Sequence, residues 1–156
     1  MIYMADFEVM KVEFIAKTFD ELSTSELYEI MKSRAEIFLL EQRIVCQDLD
    51  DVDYKSLHCF FIDGNRANGY LRAFLSDEEN KTVTVGRVLT LKHRNGMGTE
   101  LMNKSIEAIK KHFTCEKITV HAQKQAVGFY EKMGFVTTSD EFVEEGVVHV
   151  TMEVCV

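Results

Sequence analysis

The chain has 156 residues, 46% of them apolar, and a formal net charge of −8 at neutral pH. These values fit one globular domain with an ordinary core, and the lack of a basic run excludes a nucleic-acid partner. Four scattered cysteines (Cys46, Cys59, Cys115, Cys155) have neither disulfide nor metal-ligand spacing and read as reduced thiols of a cytoplasmic protein with no metal site. The first ten residues carry Asp6 and Glu8 and no basic leader, and no stretch approaches membrane-spanning length, so no membrane partner is expected.

In chain order, residues 9–16 alternate at Val12, Phe14 and Ala16 and predict a first strand, with residues 1–9 as an extension. Ser23 and Thr24 before Glu26 form a helix start, and the helix is expected to run to about Gln42. Leu27, Ile30, Met31, Arg34, Phe38 and Glu41 recur at spacings of 3, 1, 3, 4 and 3, which places them on one face. Arg34 and Glu41 on that face either lie at its solvent edge or line a polar cavity, because buried charge is costly unless paired. Residues 43–55 form a loop with Asp48, Asp50, Asp51 and Asp53, either a solvated connection or a negative mouth that draws in a cationic amine. The glycine and closing glutamate of a calcium loop are missing.

Residues 57–62 and 68–75 predict strands joined by the turn Asp63-Gly64-Asn65-Arg66, and residues 77–81 form a second turn. Residues 83–91 are β-branched and apolar and predict a central strand. Residues 92–98, KHRNGMG, are basic and glycine-rich, and residues 99–113 have helical periodicity. Strand, glycine turn and helix together present backbone N–H groups to an anion, so this stretch reads as a diphosphate cradle. Gly98 is followed by Thr99 and Glu100, which rules out a P-loop, and position 101 is Leu101, so the dinucleotide fingerprint lacks its third glycine. A short strand at 117–122, a helix at 125–133 ended by Gly134, and a hairpin of 135–143 with 147–154 complete the chain. The strand order is mainly meandering, which predicts a mixed α/β sheet in one domain over 1–156 rather than a doubly wound one.

His93-Arg94-Asn95-Gly96-Met97-Gly98 resembles the coenzyme-A loop of GNAT-type N-acetyltransferases, with His93 where Arg or Gln is usual. Gln123, Ala126, Tyr130, Gly134 and Phe135 match a second motif of that superfamily, with Gln123 in place of the usual Asn. Arg34, Phe38, Glu41, Gln42, Asp48 and Asp50, then Gly86-Arg87-Val88 and the closing 144–149 segment, resemble its ElaA-like branch. The resemblance implies a GNAT-like fold: a mostly antiparallel sheet, splayed beyond Val88 at the cofactor cleft and flanked by helices. It implies acetyl-CoA, or another acyl-CoA, held by the backbone of Val88, Leu89, Thr90 and Leu91 and by the loop His93, Arg94, Asn95, Gly96, Met97, Gly98 and Thr99, with Gln123 and Phe129 alongside. Acyl transfer to a small amine or an exposed protein amino group follows.

In that reaction Tyr130 suits protonation of the leaving thiolate, since phenol is a neutral donor. Glu41 is the first candidate base, with His149 and His58 as alternatives. Arg34, Gln42, Asp50, His58 and Arg87 are expected to shape the acceptor side, with Arg87 paired to a carboxylate such as Glu41 or Asp50. Neither Cys59 nor Cys115 has a signal for covalent catalysis, which favours direct transfer. Two other classes stay open: a noncatalytic acyl-CoA-binding sensor and a nucleotide-phosphate-binding protein. The apolar 147–156 end fits a homodimer contact or a core strand equally well.

Overall fold

The computed structural model describes residues 12–93 and 96–156, so the expected extension, most of the front of the expected first strand, and Arg94 and Asn95 lie outside the described residues. Among the described residues eight strands form one sheet in the order β1-β2-β3-β4-β5-β8-β6, with β7 also on β8. They are β1 (Glu13–Thr18), β2 (Leu57–Asp63), β3 (Arg66–Asp77), β4 (Thr82–Thr90), β5 (Lys117–Gln123), β6 (Val136–Thr137), β7 (Phe142–Glu144) and β8 (Val147–Cys155). Among the described residues only β4 and β5 pair in parallel, through the crossover helix α2 (Met97–His112). Mixed, mostly antiparallel and flanked by helices, the architecture is the one expected.

Successive residues of a strand face opposite sides, and here both sides are buried. Cys59 and Phe61 of β2 join Leu71, Val83, Val85, Ile118 and Val120 beneath α2 residues Leu101, Met102 and Ile109. The same core takes Tyr130 of α3 (Val127–Glu131) and Phe135. Phe60, between Cys59 and Phe61, points the other way and packs with Tyr70 and Leu89 against Ile30 of α1 (Thr24–Arg34) and Ile37. This sandwich explains why the middle of β2 is apolar at consecutive positions.

α1 begins as its sequence requires: Glu26 N–H donates to Ser23 Oγ at 3.0 Å, and Ser23 N–H donates to Glu26 Oε1 at 2.8 Å. The helix then departs from expectation. Residues Ala35–Glu41 continue as a π-helix, with Gln42 N–H donating to the Ile37 carbonyl at 2.9 Å. The wider turn rotates the following residues, so Ile37 enters the core while Glu41 is half exposed. The expected single stripe therefore holds as far as Phe38, which packs against the same core, and loses Glu41.

The final hairpin is also interrupted. Instead of one strand over 135–143, β6 pairs Val136 with Glu153 and β7 pairs Phe142 with His149. Between them Ser139 Oγ accepts the Thr151 N–H at 2.8 Å, replacing a ladder bond with a side-chain one.

Candidate active site

β4 and β5 part company early. Their last paired residues are Val85 and Val120, so the sheet opens three residues before the expected point at Val88. Gly86 lies opposite Arg72 and Leu89 opposite Tyr70, so β4 uses three steps where β3 uses two. The extra residue is a β-bulge, and Arg87 carries the bend at φ 54°. The opening is a cleft of about 640 Å³ whose walls include Phe38, Gln42, Val88, Gln123, Tyr130 and His149.

One wall is a charge lattice. Arg34 donates from Nε to Asp48 Oδ2 at 3.0 Å and from Nη1 to Asp53 Oδ1 at 2.7 Å. Arg72 grips both oxygens of Asp50 at 2.6 and 2.7 Å and reaches Asp53 at 3.1 Å. Arg87 donates to Asp48 Oδ1 at 2.7 Å, with Asp50 Oδ2 at 3.4 Å. Three arginines thus balance three aspartates; of the two carboxylates expected beside Arg87, Asp50 is there and Glu41 is not. The 43–55 loop is neither a solvated acidic connection nor an uncompensated negative mouth. The Arg72 fork holds the Asp50 carboxyl down to about 2. Burial alone would raise Asp53, but the hydrogen bond and charge of Arg34 outweigh it and lower the group. Of these residues Asp48, Asp50, Arg72 and Arg87 face the cleft, whereas Arg34 is buried behind it.

His58 is sealed away from the cleft. Its Nε2 lies 2.9 Å from the Asp53 carbonyl, which only accepts, so Nε2 carries the proton. Nδ1 then accepts from the Tyr70 hydroxyl at 2.8 Å. Burial lowers the His58 pKa, in keeping with a neutral ring that buttresses the Asp53 loop.

Tyr130 projects from α3 with its ring edge-on to Phe129 and Phe135, at 5.1 and 5.5 Å between centroids. α3 stops where Gly134 adopts φ 90° and Phe135 N–H donates back to the Tyr130 carbonyl at 3.2 Å. Burial raises the Tyr130 pKa, so the side chain stays a neutral phenol. Across the cleft, His149 Nδ1 donates to the Val147 carbonyl at 2.7 Å, which leaves Nε2 with its lone pair when the ring is neutral. Glu144 Oε2 is 3.9 Å from that nitrogen, and Glu144 Oε1 is 3.2 Å from His121 Nδ1.

Glu41 does not join them. Its carboxylate meets His93 Nε2 at 2.7 Å, outside the cleft lining. Its neighbour Gln42 does face the cleft and accepts from Gln123 Nε2 at 3.0 Å, and Gln123 Oε1 accepts from Gln125 Nε2 at 2.5 Å. The end of the π-helix therefore reaches both sides of the opening, Glu41 towards the β4 exit and Gln42 towards the end of β5.

At the glycine turn the left-handed residue is Gly96, at φ 80°, which precedes α2 without a side-chain cap. Glu100 N–H returns to the Gly96 carbonyl at 3.2 Å, and Met97, Gly98 and Thr99 make the first turn. Gly98 serves close packing instead: a Cβ there would stand 3.3 Å from the Phe129 ring. Of the central-strand residues, Val88 faces the cleft, Leu89 enters the opposite core and Thr90 lies opposite Gly69. Leu91 N–H is already bonded to the Asn68 carbonyl at 2.9 Å.

Sequence reasoning gave no site role to Arg72, Cys46 or His121, and placed Asp53 and Glu144 only within segments. Arg72 had a readable signal, an arginine inside an apolar strand that needs a buried counter-charge. Cys46, Asp53 and Glu144 are loop or strand-end residues and His121 is an exposed strand residue, and nothing local distinguishes them.

A bulged, parting sheet with a cleft at the break and the N-terminus of α2 after a glycine turn is the acyl-CoA N-acyltransferase fold. The chain belongs to the GNAT acetyltransferase family: residues 40–156 match the Acetyltransferase (GNAT) domain. It is 35% identical over 146 residues to a UPF0039 protein of Schizosaccharomyces pombe, covering 90% of this chain and 95% of that one. It is 29% identical over 136 residues to Protein ElaA of Escherichia coli, covering 85% and 89% of the two chains. The crystal structure of E. coli ElaA superposes with a TM-score of 0.84 over 92% of this chain and 99% of that one, at 27% identity. An acyl-CoA N-acyltransferase from Pseudomonas aeruginosa has the same fold, with a TM-score of 0.84 over 92% and 99% of the two chains at 24% identity.

Proposed function

We propose that the protein is an N-acyltransferase that moves an acetyl group from acetyl-CoA to an amine by direct attack. The observation that carries this reading is the meeting of the Tyr130 side chain and His149 on the walls of one cleft, at the break between β4 and β5. Acetyl-CoA supplies the activated acyl group. The first turn of α2 and the open edge of β4 at Val88 are the groups suited to its diphosphate and pantetheine arm.

The neutral amine nitrogen forms a bond to the thioester carbonyl carbon, and the carbon–sulfur bond breaks as the tetrahedral intermediate collapses. His149 Nε2, directly or through one water, takes the proton that the amine sheds, and Glu144 stabilises the resulting cation. Tyr130 Oη gives a proton to the departing sulfur. His149 serves as base in this reading, rather than Glu41, because its free ring nitrogen faces the cleft. A cysteine relay is disfavoured: burial pushes the Cys59 thiol up to about 12 and also raises Cys115.

The test is thiol release from acetyl-CoA with a panel of small primary amines, beside calorimetric titration of CoA. Amine-dependent release is the expected result. Binding of CoA without release from any amine would favour a noncatalytic sensor, and absence of binding would overturn the cofactor assignment.

A further inference from the structure

A second cavity of about 310 Å³ opens beside the cleft, between the α1–π-helix face and the 44–49 loop. Its walls are Met31, Ala35, Phe38, Leu39, Ile44 and Leu49, and Phe38, Ile44, Cys46 and Asp48 belong to both cavities. Leu39 and Leu49 of this wall are 47% and 46% exposed, apolar side chains left in water beside the cleft. The two charged groups in this groove, Arg34 and Asp48, are bonded to each other.

We infer that this groove is an acceptor subsite for the apolar part of a primary monoamine, alkyl- or aryl-substituted, whose amino group enters the cleft. The inference rests on the acyltransferase reading and narrows its substrate class. Continuity fixes the occupant, since a molecule with its nitrogen in the cleft passes Phe38 and Ile44 to reach the groove. Charge fixes the polarity of that molecule. Glu144 and Glu145 both line the cleft and not the groove; among the described residues Glu145 has no ion pair and Glu144 pairs with histidines. An ammonium is therefore drawn to the cleft end. A second ammonium finds no free carboxylate in the groove, because Asp48 is held by Arg34 and Arg87, which disfavours polyamines. An acceptor carboxylate meets arginines already neutralised by Asp48, Asp50 and Asp53, which disfavours free amino acids.

The experiment measures kcat/KM at saturating acetyl-CoA for the n-alkylamines from ethyl- to hexylamine, phenethylamine, butane-1,4-diamine and a short peptide with an apolar first residue. The value should rise about fourfold for each methylene that the groove covers, with the diamine well below butylamine. Leu39→Asn and Leu49→Asn change exposed side chains without adding charge. They should flatten the rise while leaving ethylamine turnover and CoA affinity unchanged. A flat wild-type series, a diamine that outruns butylamine, or a peptide preferred over every alkylamine overturns the subsite. If no amine releases thiol, the acyltransferase reading fails separately, and the groove is then judged by calorimetry with hexylamine in the presence of CoA. Binding to wild type that weakens in both variants supports the subsite, and no binding to wild type overturns it.

Discussion

Replacing Tyr130 with Phe removes one hydroxyl and leaves the ring between Phe129 and Phe135. The hydroxyl has no hydrogen-bond partner among the described residues, so its loss should alter folding stability by less than about 1 kcal/mol. If it protonates the leaving thiolate, its loss should slow turnover by about 10²–10⁴-fold, or roughly 2.7–5.4 kcal/mol in the transition state. The catalytic effect should therefore exceed the structural one several-fold. The assay is steady-state thiol release at saturating acetyl-CoA, with a CoA titration and a thermal melt on the same preparations. Because burial raises the Tyr130 pKa, its ionisation should not reduce the wild-type rate below about pH 10. A high-pH decline above that point should vanish in the variant. Equal rates for the two proteins, with chemistry shown to limit both, would refute the acid role. A matching loss of CoA affinity would make the hydroxyl a cofactor contact instead.

Four further outcomes follow from the same geometry. His149→Asn should lower kcat by about 10²–10⁴-fold at neutral pH with CoA affinity kept; a rate within a few-fold of wild type removes it as base. Glu41→Gln, by contrast, should change kcat only a few-fold, since that carboxylate faces His93, and a hundredfold loss in kcat alone would reinstate it. Gly98→Val should weaken CoA binding at least tenfold, because its Cβ would stand 3.3 Å from Phe129 at the first turn of α2; unchanged affinity in calorimetry dissociates that turn from the cofactor. The Asp50 and Asp53 carboxyls are depressed in the folded state, Asp50 to about 2, below an ordinary carboxyl pKa near 4. Their contribution should be complete above about pH 4 and disappear as pH falls towards 2. Urea unfolding across that range should show the fall, and Asp53→Asn should make it shallower; an unchanged slope in that variant would exclude Asp53 as a source.

The parts of this site that could be read in the sequence are those whose chemistry is local. Gly96 and Gly98 between a strand and an amphipathic helix announce a glycine-led helix start, and Tyr130 four residues before Gly134 announces a short helix with a left-handed stop. Even there, the two glycines differ in purpose, since one supplies φ 80° and the other makes room for Phe129. The position of Glu41 was obscured by a change of helical period. Residues 35–41, AEIFLLE, contain no proline or glycine to mark the switch from α to π, and both Ile37 and Phe38 are apolar enough to face a core. Counting in steps of 3.6 carries Glu41 inward, whereas the π-turn leaves it beside His93.

The charge lattice was hidden for a different reason. Arg34, Arg72 and Arg87 sit on α1, β3 and the β4 bulge, up to 39 residues from the aspartates they hold. Each arginine signalled that some carboxylate must lie near it, yet only the folded sheet says which. That assignment bears directly on function. If Asp48, Asp50 and Asp53 had been free, the cleft would have favoured polycations; with all three engaged, among the described residues Glu145 has no ion pair and those of Glu144 are to histidines. The same lattice fixes the 44–53 loop against α1, and so keeps Ile44 and Leu49 in place as walls of the apolar groove. Weakening it with Asp53→Asn should therefore loosen selectivity among alkylamines before it affects acetyl-CoA affinity. The measurement is the hexylamine-to-ethylamine ratio of kcat/KM, beside a CoA titration of the same variant. A variant that keeps the wild-type ratio at reduced stability would separate the lattice from acceptor choice.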